Sequence, residues 1–347
     1  MDLDERKLQI LQAIIDDYIL TAAPIGSRTI SKRTDIGLSS ATIRNEMSDL
    51  EELGFLEQPH TSAGRIPSDK AYRLYVNNIM KKTKLTPDEC SAISKLFSRR
   101  VDAVEDVIRQ TAWVLSNVTH YTSMVLAPQL KSVKLKHIQL VPISERKALV
   151  VIVTNTGITR DSIVHIPADM DAYHLERLSR MLTAHFANMR LEEASRSMEH
   201  FFSEEVNSYR GLLKSMSEVL NQRISGSQAR SVELSGATNM LNYPEYSDLD
   251  KARAFLSAIE TKDYLFNMLA NASKLEFTVT IGSENESMDM KDCSVVTATY
   301  KIGEDPIGSM GVIGPTRMNY AKVLAILGFM GNSLSEMLTN LIEEEKR

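Results

Sequence analysis

Apolar positions recur every three or four residues through the first part of the chain, and at every second residue in short runs further on. Over residues 1 to 22, Leu8, Leu11, Ile15, Tyr18 and Ile19 share one stripe, which predicts a first helix. The stretch AAPIGS, Ala22 to Ser27, ends it, because Pro24 disfavours helix in the residue before it and Gly26 relaxes the turn. Ser27 caps a short helix carrying Arg28, Ile30 and Lys32. Gly37 supplies the permissive backbone that a tight turn between crossed helices needs. Ser39 or Ser40 then offers a hydroxyl to cap a second helix, about Ser40 to Leu53.

That second helix has two unlike faces. Ile43, Met47 and Leu50 form an apolar stripe for packing, while Ser40, Ala41, Thr42, Arg44, Asn45 and Ser48 point away from it. Small and hydrogen-bonding residues at a helix start suit close approach to a nucleic-acid groove. Free amides there favour phosphate, and Arg pairs with the guanine edge as Asn does with the adenine edge. After Gly54 the chain reads as strand (Phe55 to Gln58), polar turn (Pro59 to Gly64) and strand (Arg65 to Pro67), a small wing. The whole pattern is that of a winged helix-turn-helix. It nominates Ser40, Thr42, Arg44 and Asn45 as base readers. Ser27, Arg28, Ser39, Thr61, Ser62 and Arg65 are nominated as holders of phosphate or the minor groove, contacts that fix register without reading sequence.

Downstream, a helix from Pro67 or Ser68 carries Tyr72, Val76 and Ile79 to close the first core, and Lys81, Lys82 and Lys84 read as a solvated hinge. One or two helices follow over Thr86 to Val118. Short β-branched runs at Ser123 to Ala127, Leu135 to Ile143, Lys147 to Val153 and Ile158 to Ile166 predict strands, the last two forming a hairpin around Gly157. A helix starts near Ala172, with Leu175, Leu178, Leu182, Phe186 and Met189 on its stripe. From Leu191 to Ile224 apolar residues recur at threes and fours, interrupted by Gly211, which favours helix-on-helix packing of the kind found between subunits. A short strand at Val232 to Leu234, a helix at Leu249 to Ile259, strands at Lys274 to Ile281, Cys293 to Lys301 and Ile307 to Ile313, and a closing helix at Asn319 to Leu341 complete the chain. Strands on both sides of a helical segment predict an α+β multidomain protein in which one domain interrupts another.

Composition narrows the function. The 347 residues, 43% hydrophobic and 24% charged, are those of an ordinary globular chain with room for two or three cores. Two cysteines far apart give no disulfide framework, no export segment opens the chain, and no apolar run is long enough to span a bilayer, so a cytoplasmic protein is expected. The formal charge of −5 and pI of about 5.9 argue against an indiscriminate nucleic-acid binder. Within the motif, Asp49, Glu51 and Glu52 lie in the C-terminal half of the helix, away from its groove-facing end. Modest nonspecific affinity, with specificity gained by dimerising on a defined site, fits that balance.

Catalytic readings find no support. His60, Thr61 and Ser62 cluster, but no acidic orienter stands at recognisable spacing and no G-x-S-x-G occurs. Gly308, Gly311 and Gly314 lack both dinucleotide and phosphate-loop spacing and read as strand and turn punctuation. Seven histidines without an HExxH pair and two cysteines without CxxC leave no expected metal site or cofactor. Seventeen methionines suit adaptable cores and interfaces.

The run LSSATIRNEMSDLEELGFLEQPHTSAGRIPSDKAYRLYV, with LSGATNMLNYPEY at Leu234 to Tyr246 and IGPTRMNY at Ile313 to Tyr320, resembles the HrcA family of bacterial heat-inducible transcription repressors. PHTSAGRIP is the most specific of these, since a generic winged helix does not require it. The resemblance implies a GAF-like domain interrupted by a largely helical, inserted dimerising domain. The division then runs 1–84 for the winged helix-turn-helix and linker, 85–190 and 262–347 for the GAF-like parts, and 191–261 for the insert. It also implies a homodimer on double-stranded DNA, at an inverted-repeat operator before chaperonin and DnaK-type chaperone operons, with the chaperonin as co-repressor and release on heat stress. A winged-helix regulator with a small-molecule effector in the GAF-like domain is the alternative.

Overall fold

The computed structural model describes residues 3–34, 36–60, 63–81, 83–97, 104–128, 134–155, 159–167, 170–199, 216, 231–272, 275–302 and 305–344. The first unit is a helical head. Helix α1 (Glu5–Thr21) begins where Asp4 accepts from the Lys7 amide at 2.8 Å and ends at Ala22, in a left-handed conformation. The short α2 (Ser27–Ile30) leads through Gly37, at φ +60°, to α3 (Ser40–Glu52), and a two-stranded antiparallel pair follows, β1 (Leu56–Glu57) with β2 (Ile66–Pro67). Ile43, Met47 and Leu50 of α3 are buried as their spacing predicts, each worth about 1.5–3 kcal/mol of apolar burial. On α1 the fully buried residues are Ile10, Leu11, Ala13, Ile14 and Ile15, and Tyr18 and Ile19 of the expected stripe pack partly buried against the same core.

Helix α4 (Asp69–Leu74) continues through a wider turn at Tyr75–Ile79, and Tyr75 donates its hydroxyl to Asp16 of α1 at 3.1 Å. Beyond the linker lie α5 (Pro87–Leu96) and α6 (Val104–Thr119). The central body is a five-stranded antiparallel sheet in the order β7 (Val232–Ser235), β3 (Thr122–Leu126), β10 (Asp305–Pro315), β9 (Cys293–Ile302), β8 (Phe277–Ile281). Period-two alternation divides its side chains. Val125, Val296, Met310 and Val312 join the core shared with α6 and the closing α11 (Tyr320–Glu344). Met124, Leu126, Val295 and Ile313 join a second core under α9 (Leu249–Glu260) and α10 (Lys262–Ala272). The first of these cores runs without a break from Ile10 of the head to Leu338 of α11.

Between β3 and β7 the chain builds a separate three-stranded antiparallel sheet, β4 (Leu135–Ser144), β5 (Lys147–Thr154) and β6 (Thr159–His165), backed by α7 (Ala172–Phe186) and α8 (Leu191–Glu199). Leu175, Leu178, Leu182 and Phe186 of α7 share a third core with Ile138, Leu140, Val150, Ile152, Ala194, Met198 and Met216. Ser179 and Thr183 of α7 accept from the Leu140 and Ile138 amides at 2.8 and 3.0 Å, covering one edge of that sheet. This arrangement departs from the expected division at residue 190, which falls between two helices of one core. The expected insert also claimed 232–261, but β7 returns to the central sheet beside β3. The reason is that strand runs look alike locally, and pairing decides their sheet. The expected stripe from Phe201 to Leu213 and from Leu220 to Ile224 lies outside the described residues, as does Ile158. Among the described residues no helix is long and apolar enough to cross a membrane, and no cluster of metal-ligating side chains occurs.

Candidate nucleic-acid interface

The start of α3 is built by its own side chains. Ser39 is the N-cap: its hydroxyl accepts from the Thr42 amide at 3.1 Å and lies 2.9 Å from the Thr42 hydroxyl. No acidic residue occupies the first turn, which keeps the positive end of the helix unopposed. Arg44 and Asn45 are exposed beside each other one turn on, and Arg28 is exposed on α2. Neither Arg28 nor Arg44 has an ion-pair partner among the described residues.

Two expected phosphate ligands are placed otherwise. Ser27 is only 8% exposed, and its hydroxyl pairs with that of Ser40 at 3.0 Å, so both serines hold α2 against α3. Arg65 sends Nε and Nη2 to one Glu51 carboxylate oxygen, each at 2.8 Å, so it reaches the surface as half of an ion pair. Thr61 and Ser62 lie outside the described residues.

The turn between β1 and β2 is fastened to the loop before α2. Ile25 and Arg65 exchange backbone hydrogen bonds at 2.9 and 2.8 Å. Gly64 makes this approach possible, since a Cβ there would stand 2.4 Å from the Ile25 carbonyl oxygen. At the base, Ser68 caps α4 and donates to the Gly54 carbonyl at 2.7 Å. The result is a cleft of about 420 Å³ between α2, α3 and this turn, into whose walls Arg28, Arg44, Arg65 and Gln58 are set. The guanidinium groups of Arg28 and Arg44, beside the Glu51-paired Arg65 around one opening, suit an anionic, planar-edged ligand such as a nucleic-acid strand.

Two acidic residues of α3, Glu46 and Asp49, meet cations of α1. The Lys7 ammonium lies 2.8 Å from Glu46 and 3.0 Å from Asp49, with Arg6 at 3.5 Å from Glu46. Hydrogen bonding by Glu46, then Asp49, raises the Lys7 pKa above its ordinary value, so the ammonium stays charged. Sequence reasoning placed Asp49 away from the groove end but missed its partner and that of Glu46, which lie some forty positions earlier on α1. It also missed the close approach at Gly64, for which the conspicuous GRIP run was the only sign.

Comparison with known proteins gives this geometry its context. The family model for the HrcA protein C-terminal domain matches residues 105–324. The heat-inducible transcription repressor HrcA of Brevibacillus brevis is 42% identical over 342 residues, covering 99% of this chain and 100% of the relative. The repressor of the same name from Ruminiclostridium cellulolyticum is 43% identical over 347 residues, covering 99% of each. A crystal structure described as a hypothetical protein at 2.2 Å resolution shares the fold, with a TM-score of 0.64 and 24% identity over 98% of this chain and 100% of that one. With relatives matched end to end at this identity, the chain belongs to the HrcA family of heat-inducible transcription repressors, which are regulators and not enzymes.

Proposed function

We propose that the protein represses transcription by binding an inverted-repeat operator as a homodimer, each head acting as a winged helix-turn-helix with α3 in the major groove. The observation that carries this reading is the gathering of Arg44, at the start of α3, with Arg28 and Arg65 around one cleft, with Asn45 exposed next to Arg44. In this reading Arg44 and Asn45 read base edges with Thr42. Arg28, Ser39 and the amides of the helix start hold phosphate, joined by Thr61 and Ser62 of the wing. Ser27 and Ser40 contribute by fixing the angle between α2 and α3.

The body corresponds, in this proposal, to a GAF-like domain, and the dimerising insert centres on the three-stranded sheet and α7 as well as on the segment after 190. The support is an open apolar face. Val141, Leu149 and Ile163 are cross-strand partners, with Val141 and Ile163 42% and 58% exposed. Such a face suits a second copy of the chain, because a two-fold dimer is what an inverted repeat requires. By family resemblance the operators precede chaperonin and DnaK-type chaperone operons. The chaperonin acts as co-repressor by sustaining the binding-competent fold, and heat depletes that population.

A titration of labelled inverted-repeat duplex against scrambled duplex, at two salt concentrations, tests this. Binding of two chains to the repeat alone, weakening with salt as counterion release requires, is expected. Equal weak binding to both duplexes, even with chaperonin and ATP present, contradicts it.

The alternative of a small-molecule effector has one observation in its favour. A cleft of about 320 Å³ between α5, α6 and α11 is walled by Ile93, Leu96, Val118, Val323 and Ile326, with the Glu89–Lys322 ion pair at its side. A metabolite that raises the melting temperature and changes operator affinity together would favour it.

A further inference from the structure

Two conspicuous stretches, LSGATNMLNYPEY and IGPTRMNY, lie far from the cleft, yet the structure brings both against the head. Arg317, from the second, donates through Nη1 to the carbonyl of Ile19 near the end of α1, at 3.1 Å. Glu245, from the first, holds the same guanidinium, accepting from Nε and, at 3.3 Å, from Nη2. Tyr243 lies under it, with the ring centroid 5.5 Å from Cζ, and stacks on Tyr121 at 5.6 Å. Only 10% of the Arg317 side chain is exposed. A planar fork held by a carboxylate, an aromatic face and a backbone carbonyl has little freedom left.

A second contact grips α4. Asp69 accepts from the Ser283 amide at 2.8 Å. Arg73, one turn on, donates Nε to Glu284 at 2.7 Å, with a further bond from Nη2 to the other carboxylate oxygen, and Nη2 also meets the Val279 carbonyl at 2.6 Å. Gly282 stands at φ +52°, and a Cβ there would fall 2.2 Å from the Asp69 carboxylate. Beside these bonds the Tyr72 ring packs on Tyr320 at 6.0 Å, and the Tyr320 hydroxyl lies 2.6 Å from that of Ser294.

We propose that Arg317 with Glu245, and Asp69 and Arg73 with the Gly282–Glu284 turn, are positioning contacts that fix each head on the body and thereby set the half-site spacing the dimer reads. This rests on the two-headed operator reading above. The linker alone, Met80 to Thr86, would leave each head free to swing, and a second half-site would then be captured over many spacings at low effective concentration. Fixation at α1 and at α4, with apolar packing shared between head and body, removes that freedom. Partly exposed ion pairs contribute little to stability one by one, so the distinguishing readout is geometric.

The test uses full-length protein and duplexes whose two half-sites are moved apart in single-base-pair steps. Wild type should favour one spacing by roughly tenfold or more over its neighbours, within the range that linked binding allows. The paired variant R73M/E284Q removes both charges together, and G282A pushes the turn away from Asp69. Both should flatten the spacing profile to about threefold while binding to a single half-site stays unchanged, which also shows that the head remains folded. Variants that keep the wild-type profile overturn the proposal. Single-molecule energy transfer between dyes at the exposed Thr29 and Lys262, on encoded azides and without DNA, reads the contacts directly. A narrow distance distribution in wild type that broadens in the variants supports them, and an unchanged distribution overturns them. Wild type that fails to prefer paired half-sites contradicts the operator reading instead, and the dye distances then still decide whether the head is fixed.

Discussion

Lys7 of α1 and Glu46 of α3 face each other across the head at 2.8 Å, and the same ammonium reaches Asp49 at 3.0 Å. The contact joins two helices, and it meets two acidic residues of the helix that carries Arg44 and Asn45 with one cation. Glu46 is 12% exposed, so once Lys7 is gone its charge is poorly screened by water and met, among the described residues, only by Arg6 at 3.5 Å. Replacing Lys7 with Gln should weaken binding to any duplex, most at low salt, where unscreened repulsion reaches furthest. Unchanged affinity at low salt would show that the acids of α3 do not act on the bound strand.

Arg44 and Arg28 should differ in what they lose. Arg44→Ala is expected to cost about 1–3 kcal/mol of discrimination between operator and scrambled duplex, the worth of one good bidentate base contact. Arg28→Ala should weaken both duplexes alike and reduce the steepness of the salt dependence by about one phosphate. Competition titrations at three salt concentrations separate the two patterns.

Gly64 should tolerate no side chain. The Cβ of Gly64→Ala would meet the Ile25 carbonyl at 2.4 Å and force apart the Ile25–Arg65 bridge. A destabilisation of about 1–3 kcal/mol, the usual cost of overpacking, is expected in thermal unfolding of the full chain. Operator binding should fall further than stability alone explains, because the same bridge forms one wall of the cleft.

The exposed strand face supplies another test. Ile163→Arg adds charge to the Val141–Leu149–Ile163 row without touching the α7 side of the sheet. Sedimentation should show the dimer weakened, and operator affinity should fall toward that of a single head, whose avidity is lost. A variant that stays dimeric at nanomolar concentration would place the dimer interface elsewhere.

Acid should loosen the head. Burial alone would raise the Glu284 pKa, but the Arg73 hydrogen bond and charge and the Ile281 amide together hold it below the ordinary 4.5. A carboxyl whose folded value is depressed stabilises the folded state fully above its unfolded value, and the contribution disappears as pH falls through the folded one. The dye distance between Thr29 and Lys262 should therefore stay narrow at neutral pH and broaden below about 4.5. Glu284→Gln should be broad throughout.

Local chemistry made much of this legible. A serine cap at Ser39 or Ser40, which the structure resolves to Ser39, the buried Ile43–Met47–Leu50 stripe and strands such as Leu135–Ser144, Lys147–Thr154 and Cys293–Ile302 follow from spacing and residue type within a residue or two. The sequence pattern predicts no element over α10, although Leu265, Leu269 and Ala272 stand at helical spacing. Sheet membership was illegible because β3 and β4 look alike, and only the distant partners β10 and β5 distinguish them. The same holds at the site. Exposed Arg44 and Asn45 could be read from the helical wheel, whereas Ser27 against Ser40, Arg65 against Glu51 and Lys7 against Glu46 are tertiary pairings that no local pattern encodes.

Hydrogen exchange of the full chain, with and without the inverted-repeat duplex, tests the central claim most directly. Slowed exchange concentrated in 26–28, 40–46 and 63–65, absent with scrambled duplex, is the expected result. Protection confined to the body or to the three-stranded sheet, with the start of α3 unchanged, would contradict the assignment of DNA binding to this surface.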